Sequence, residues 1–405
     1  MNAILRIQLH NAGRDPERLK MKYQRMRSSA FAFLRGTAHL FYDRWATNEV
    51  VKSAPLAWIC GDLHLENFGS YKGNNRLAYF DLNDFDEAAL APASWDLIRM
   101  LTSLRLAAEG LSISQGDIHS LCSMFLNSYT SALEFGKSYW IESETARGVI
   151  GRLLTGLRDR QRAQFLATRT VLSGKRRTLK IDGKKALPVS DVNRAAVELV
   201  LSRFATTQSR PEFFDVIDVA RRIAGTGSLG VDRYAILVRG KGTPNGHYLI
   251  DLKQALASSV GAHFAVIQPK WKSEANRIVE IQQRVQAVSM ALLQPVKFNG
   301  TAYVLRELQP QEDRIIIARS QQTVAELKEI IESMGKLVAW GQLRSSGREG
   351  SAIADDFIAF GRRKKWKEKL IAASKDLSLQ VKRDSASFNL AYDSGVFSAE
   401  TSAAT

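Results

Sequence analysis

GDLHLEN at residues 61–67 and FDLNDFDE at residues 80–87 are the two segments that decide the predicted fold of this chain. Apolar residues such as Leu63, Leu65 and Phe85 alternate with the charged ones, which is typical of strands and buried loops. A buried carboxylate costs free energy unless a cation or hydrogen-bond donors meet it. We therefore expect a site that holds a metal ion and moves protons, with two acidic surface turns as the simpler alternative.

The composition is that of an ordinary globular protein. No apolar run has the length of a membrane span, and the N-terminus lacks the apolar core and cleavage site of a signal peptide. The two cysteines, Cys60 and Cys122, form no Cys-x-x-Cys pair, so we expect neither a zinc site nor a disulfide framework. These features predict a cytoplasmic protein that does not associate with membranes.

The chain is strongly basic, with a formal net charge of +16. Such an excess attracts polyanions, including nucleotide phosphates. The basic clusters at 175–177, 184–185 and 362–365 are each explained as well by a solvated surface. Because no nucleic-acid-binding signature is present, we expect a nucleotide rather than a nucleic acid as the partner.

Hydrophobic periodicity predicts several elements on either side of the acidic segments. Helices are expected over 17–48, from Ser94 onward and over 115–135, and short strands over 56–60 and 77–82. Further along the chain, Thr323 and Glu326 form a capping-box pattern that begins a helix to about Leu343, and a charged helix is expected over 353–374.

Residues 147–212 are predicted to form a basic connector. Asp182-Gly183 is a hairpin signal between two short flanking runs. Asp191 could cap a helix that ends at Phe204. The apolar residues expected on its inward face are Val192, Ala195, Ala196 and Leu199.

A glycine-rich turn, Gly225-x-Gly227-x-x-Gly230, lies between predicted strands over 216–223 and 234–238. In a dinucleotide site the third glycine begins a helix, whereas here β-branched and aromatic residues follow it. This context favours a strand–turn–strand unit whose turn covers the phosphates of ATP. A plain hairpin turn is the alternative.

Lys253 lies in a third predicted strand, 248–253, within an apolar run. A buried lysine needs a partner, and the helix predicted over 273–293 offers Glu280, with Glu274 as a lesser candidate. A pair of this kind orients the ammonium group toward the α- and β-phosphates. A lysine of this kind taken alone is more often a surface residue of an edge strand, but its place between the glycine turn and an acid-bearing helix favours the functional interpretation.

The acidic segments resemble the catalytic and metal-binding loops of aminoglycoside-phosphotransferase-type kinases. The resemblance rests on Gly61-Asp62-Leu63-His64-x-x-Asn67 and on the run from Asp84 to Ala88, although Cys60 stands where that family usually has histidine. It implies that Asp62 is the catalytic base, that Asn67 and Asp84 bind magnesium, and that Asp96 has a structural role. Asp81 is a rival to Asp84 as the metal ligand, and we interpret His64 as a structural histidine.

The order of these segments differs from that of such kinases, in which the glycine turn precedes the catalytic loop. The resemblance therefore implies an α+β, protein-kinase-like two-lobe fold that is circularly permuted. The implied divisions are a first part of the large lobe (1–146), the connector (147–212), a small nucleotide-binding lobe (213–312), helices that complete the large lobe (313–385) and a tail (386–405).

The chain as a whole resembles the DUF2252 family of uncharacterized bacterial proteins. The resemblance covers the run from Phe31 to Gly36, both acidic segments, and the residues from Gly225 to Tyr234. That family brings no established substrate, so the expected chemistry depends on the kinase-like motifs.

These motifs predict an ATP- and magnesium-dependent phosphotransferase that acts on a hydroxyl of a small molecule or protein. One alternative is a kinase-like protein that transfers a nucleotidyl group, or a pseudokinase that only binds the nucleotide. Another is a metal-dependent phosphoesterase, which would need more metal ligands and would leave the glycine turn and Lys253 without a role.

Overall fold

The structure of the chain is a computed structural model that describes residues 2–46, 54–111, 113–298, 300–310, 313–315 and 323–398. Helices and strands both contribute to its core, so the fold is of the α+β class. The long helices bury one continuous apolar cluster, and a six-stranded antiparallel sheet has its own apolar cluster on one face.

The chain begins with four helices: α1 (Ala3–Asn11), α2 (Pro16–Arg27), α3 (Ala30–Gly36) and α4 (Ala38–Trp45). The helical structure predicted over 17–48 is therefore present over most of 17–46, but it is divided among three helices, and residues 47–48 lie outside the described residues. The helix breaks where the side chain of Ser29 accepts a hydrogen bond from the amide of Ala32 and so caps α3. After the break, α2 packs against α3 and α13.

Two small antiparallel sheets carry the acidic segments. Strand β1 (Leu56–Ile59) pairs with β4 (Ala89–Pro92), and β2 (Phe68–Lys72) pairs with β3 (Ala78–Leu82), to which β5 (Ile141–Glu142) adds. Both strands predicted here are confirmed. The loop from β1 to β2 and the loop from β3 to β4 consequently lie side by side.

The long helices are α5 (Ser94–Gly110), α6 (Gln115–Phe135), α11 (Val324–Arg344), α12 (Ala354–Arg362) and α13 (Lys365–Asp393). The predicted helices at Ser94 and over 115–135 are confirmed, and so is the capping box at Thr323. In the described segments no helix combines the length and the apolar character that crossing a bilayer requires.

The C-terminal helices differ from the prediction. The expected helix over 353–374 is wrong because the chain leaves helical geometry at Arg363, where α12 ends. The residues predicted to begin a tail at 386 instead continue α13 to Asp393. The buried Phe388 fixes this last part of the helix against Tyr23 and Phe397. The small, polar neighbours of Phe388 conceal that anchor in the sequence.

The six-stranded sheet has the order β12-β13-β11-β10-β9-β8, and every neighbouring pair is antiparallel. Its strands are β8 (Ala186–Leu187), β9 (Val216–Arg222), β10 (Arg233–Val238), β11 (Tyr248–Gln254), β12 (Gln294–Phe298) and β13 (Thr301–Glu307). The strand predictions here are confirmed. Helix α10 (Glu274–Val285) packs beside β12 and β13 and ends well before the predicted Leu293.

The connector contains α7 (Gly148–Asp159), α8 (Arg162–Ala167), β6 (Thr170–Ser173), β7 (Arg176–Leu179) and α9 (Asp191–Ala205). A hairpin is present, but β6 and β7 form it around Gly174, so the hairpin predicted at Asp182-Gly183 is wrong. The carboxylate of Asp182 instead accepts from the amides of residues 184–186 and turns the chain into β8.

Helix α9 has almost the predicted span but a different cap and buried face. Ser190, rather than Asp191, caps it by accepting from the amide of Asn193. The predicted inward face is wrong, since Val192 is 79% exposed. The side chains that α9 buries are Val197, Val200, Leu201 and Phe204.

Candidate functional site

An open cavity lies between the acidic loops, the sheet and the N-terminal helices. Its walls include segments that are far apart in the chain. The predicted site residues that line it are Asp62, Asn67, Asp84, Gly225, Gly227 and Lys253. The fold therefore places the glycine turn (residues 225–230), the acidic loops and the lysine of β11 around one space.

Three predicted site residues do not line this cavity. The carbonyl of Gly230 accepts from the amide of Asp15 at 2.9 Å, at the side of the turn that faces α2. Asp81 is 2% exposed and lies 3.3 Å from Arg344. Glu280 lies 3.4 Å from Arg284 on its own helix. Of the two rival aspartates, only Asp84 thus faces the cavity.

The predicted pair of Lys253 and Glu280 is wrong. The ammonium group of Lys253 contacts the carboxylate of Asp86 and lies 4.0 Å from that of Asp84. The reason is that α10 turns Arg277, rather than Glu280, toward this loop. The guanidinium group of Arg277 donates to the carbonyls of Asp86 and Ala88 and so ties α10 to the second acidic loop.

Asp62 is held by an arginine that the sequence analysis did not single out. Arg99, fully buried on α5, donates through both Nε and Nη2 to Oδ1 of Asp62, and the Nε distance is 2.9 Å. Burial raises the pKa of the Asp62 carboxyl, although the Arg99 charge opposes this shift. Among the described residues, Oδ2 of Asp62 has no hydrogen-bond partner. The signal in the sequence was an arginine inside the apolar run of a helix.

Asp96, one turn before Arg99, fixes the backbone of the first acidic loop. Its carboxylate accepts from the amides of Cys60 at 2.9 Å and Gly61 at 3.0 Å. Burial nevertheless raises the pKa of Asp96 to about 6, because desolvation, with the charge of Asp62, outweighs the hydrogen bonds from Cys60 and Gly61. Asp96 therefore has the structural contact that the resemblance implied.

Asn67 joins the two acidic loops. Its side-chain amide donates to the carbonyls of Asp62 and Asp84, and its Oδ1 accepts from the amide of Asp84 at 2.8 Å. These bonds set the distance between Asp62 and Asp84. In this arrangement Asn67 supports the backbone, and its oxygen is already engaged.

A surplus of positive charge lies behind Asp84. Asp251, fully buried on β11, contacts three arginines, Arg222, Arg233 and Arg306. Burial opposes ionisation of Asp84, but the charges of Lys253, Arg306 and Arg314 hold its pKa below the ordinary value. Asp84 is thus ionised at neutral pH and faces the cavity as a carboxylate.

The glycine turn forms part of the cavity wall. Gly225 has a φ of +74°, a conformation that glycine adopts without strain. Within the described ranges, the amide N–H groups of residues 225–228 have no acceptor, although these residues line the cavity. Successive free amides of this kind bind anions.

The donor set fits a magnesium ion that a bound phosphate helps to hold. Asp62, Asp84 and Asp86 supply carboxylate oxygens to the cavity, which are the ligands that magnesium prefers. In the part of the chain that the structure describes, no three His, Cys, Asp or Glu side chains are grouped as a complete metal site. Magnesium in nucleotide sites usually needs only one or two protein carboxylates, because phosphates and waters complete its coordination.

Comparison with known proteins adds one finding. A search of curated proteins and a search of solved structures each gave no match. The family model described as "Uncharacterized protein conserved in bacteria (DUF2252)" matches residues 14–391. This range includes the acidic loops, the glycine turn, Lys253 and most of the cavity wall. The chain therefore belongs to the DUF2252 family.

Proposed function

We propose that this protein is an ATP- and magnesium-dependent phosphotransferase that acts on a hydroxyl group of a small molecule or protein. The observation that carries the proposal is the common cavity of Asp62, Asp84, Lys253 and residues 225–228. A candidate base, a candidate metal ligand and two kinds of phosphate-binding donor face one space. Transfer of a phosphoryl group requires these parts together.

The proposed fold is a permuted, kinase-like arrangement of two lobes. The six-stranded sheet with α10 would be the small lobe, and the acidic loops with the long helices would be the large lobe. The succession of β9, glycine turn, β10, β11 and α10 supports this proposal, as does the position of both acidic loops opposite the turn. The lobe boundaries at 146, 212, 312 and 385 belong to the same proposal.

The nucleotide phosphates would lie against the free amides of residues 225–228 and the ammonium group of Lys253. Lys253 now contacts Asp86, and a phosphate would share or replace this contact. Asp84 and Asp86 would hold the magnesium ion, which neutralises phosphate charge when it is bound. Asn67 would support Asp84 from behind and would bind the ion only after giving up its bond to the Asp84 amide.

Asp62 would orient the acceptor hydroxyl and take its proton. Arg99 fixes Oδ1, so Oδ2 is the oxygen that remains for the substrate. The proton moves from the hydroxyl to Oδ2 as the hydroxyl oxygen bonds to the γ-phosphorus and the bond to ADP breaks. The raised pKa of Asp62 makes its carboxylate a stronger base than an exposed aspartate.

Thermal unfolding with and without ATP and magnesium tests the binding step. A ligand at a hundredfold its Kd stabilises the folded state by about 2.7 kcal/mol. We expect a shift for the wild type that is clearly smaller in Lys253→Met, and none with magnesium alone. No shift for the wild type would contradict the proposal.

Mass analysis of the nucleotide then distinguishes the reactions. Incubation with ATP and a metabolite mixture should give ADP in the wild type and no ADP in Asp62→Asn. AMP as the product would indicate nucleotidyl transfer, and binding without turnover would indicate a pseudokinase. Hydrolysis of a simple phosphoester in the absence of ATP would favour the phosphoesterase.

A further inference from the structure

Helix α2 and the loop before it hold the glycine turn through its backbone carbonyls. Arg14 donates to the carbonyls of Gly227 at 2.6 Å and Leu229 at 3.0 Å, and Arg25 donates to that of Gly225 at 2.7 Å. Lys22 donates to the Gly227 carbonyl at 3.0 Å. Three cations from one short segment thus hold the carbonyls of the turn.

These contacts fix which groups of the turn stay available. With the carbonyls of Gly225 and Gly227 bound on the α2 side, the unpaired amides are the polar groups left for a ligand. A glycine-rich turn alone would lose much conformational entropy on binding a ligand. Contacts that already order the turn remove part of this cost.

The segment also brings basic groups whose hydrogen-bond acceptors are neutral, although the charges of Glu87, Asp62 and Asp86 act on them through space. Lys22 is fully buried, and the acceptors of its ammonium group are the Asn11 side chain and the Gly227 carbonyl, both neutral. Arg14 lines the cavity, and its acceptors are the Gly227 and Leu229 carbonyls. Buried cations are costly unless an anion is near. An anion against the turn would meet this positive charge directly.

We infer that the protein contains a binding site for polyphosphate, which we call the cradle. One side of the cradle is the glycine turn, and the other is the segment 14–25 with its basic residues Arg14, Lys22 and Arg25. Arg14 binds the phosphate chain, while Lys22 and Arg25 are positioning residues that hold the turn. The ligand class is a linear polyphosphate, free or as part of a nucleotide. The nucleotide form of this ligand rests on the proposed function, whereas the cradle itself does not.

Isothermal titration of the full-length chain with tripolyphosphate, ATP and adenosine, each with magnesium, tests the cradle. The variants are Arg14→Gln and Arg25→Gln, which are both partly exposed positions that a glutamine can occupy. Lys20→Gln is the matched control, because Lys20 is exposed on the same helix and loses the same charge. Circular dichroism establishes that each variant is folded.

We expect Arg14→Gln and Arg25→Gln to weaken the binding of tripolyphosphate and of ATP by about tenfold or more. Arg14→Gln removes a charge-assisted hydrogen bond, and Arg25→Gln removes a contact that orders the turn. Adenosine binding and the Lys20→Gln variant should match the wild type. Tripolyphosphate binding without ATP or adenosine binding would support the cradle and contradict the phosphotransferase. ATP binding that Arg14→Gln and Arg25→Gln leave unchanged would overturn the cradle while the proposed function stands. Failure of the wild type to bind either polyphosphate would overturn both.

Discussion

Arg99 binds one carboxylate oxygen of Asp62 through two of its nitrogens, and Asp62 itself lines the cavity. The guanidinium group is fully buried, and it stacks over the ring of Phe41 at 4.7 Å. This contact couples the stability of the protein to the residue proposed as its base, since each group compensates the charge of the other. Substitutions at Asp62 should consequently affect folding as well as chemistry.

Asp62→Asn is expected to lower the free energy of unfolding by up to about 3 kcal/mol, because it leaves the buried Arg99 charge without a counter-ion. The double variant Asp62→Asn/Arg99→Met should recover part of this loss and remain inactive. Urea unfolding followed by circular dichroism measures both. If Asp62→Asn unfolds at the same urea midpoint as the wild type, the charge coupling is contradicted.

Glu280→Gln should leave binding of magnesium-ATP unchanged, because Glu280 contacts Arg284 and not Lys253. Lys253→Met should weaken the binding of ATP by about tenfold to a hundredfold, because it removes a charged hydrogen-bond donor to phosphate. Isothermal titration compares the two variants directly. Equal losses in both would restore the pair of Lys253 and Glu280 that the sequence suggested.

Asp84→Asn and Asp81→Asn should separate metal binding from folding. Asp84→Asn is expected to abolish the dependence of ATP affinity on magnesium, since its carboxylate faces the cavity. Asp81→Asn should keep that dependence but cost about 1–3 kcal/mol of stability, because Arg344 loses its buried partner. Titrations with and without magnesium, together with urea unfolding, test the assignment. Reversed phenotypes would make Asp81 the ligand.

His10 and His39, stacked with ring centroids 3.8 Å apart, should make the fold sensitive to acid. Burial and the charges of Lys22, Arg14 and Arg6 lower the pKa of His10 to about 3, and burial with neighbouring charges also lowers that of His39. Both titrate near pH 6.5 in the unfolded chain. The unfolded state therefore binds more protons below that pH, so stability present above it is lost as the pH falls.

The expected loss is about 1.4 kcal/mol per histidine for each pH unit below 6.5, until the folded pKa is reached. His39→Leu should lower the pH dependence of the unfolding free energy by the contribution of one histidine. This variant should also be more stable than the wild type at acidic pH. His119→Gln, at an exposed position, is the control and should keep the wild-type slope. Urea unfolding at several pH values gives the slopes, and an unchanged slope in His39→Leu would contradict the assignment.

Local patterns predicted the strands and most helices because each depends on nearby residues, as the capping box at Thr323 shows. The sequence also predicted six residues that line the cavity, among them Asp62 and Lys253, because they belong to motifs that can be recognised by their spacing. The partner of Lys253 was not, because helix periodicity does not say which face of α10 meets the acidic loop. Arg277 meets that loop, and only the packing of α10 decides this.

The contribution of residues 10–38 to the cavity had no local signal. Arg14 and Lys22 resemble ordinary surface cations of a basic helix in the sequence, and their acceptors are backbone carbonyls more than 200 positions away. A carbonyl has no side-chain identity, so no motif could reveal the contact. Arg35 also lines the cavity, and its guanidinium group contacts the carboxylate of Glu66.

The cavity wall combines residues 10–38 with Lys253 and Arg314. The parts of the site are therefore synthesised at different times during translation. The acidic loops leave the ribosome early, whereas β11 and the residues that follow it are synthesised much later. A nascent chain that stops before Lys253 contains the candidate base but no complete cavity. The proposed nucleotide site is thus complete only once Arg314 has been synthesised, and we expect proteolytic fragments from either half to lack this site unless they reassociate.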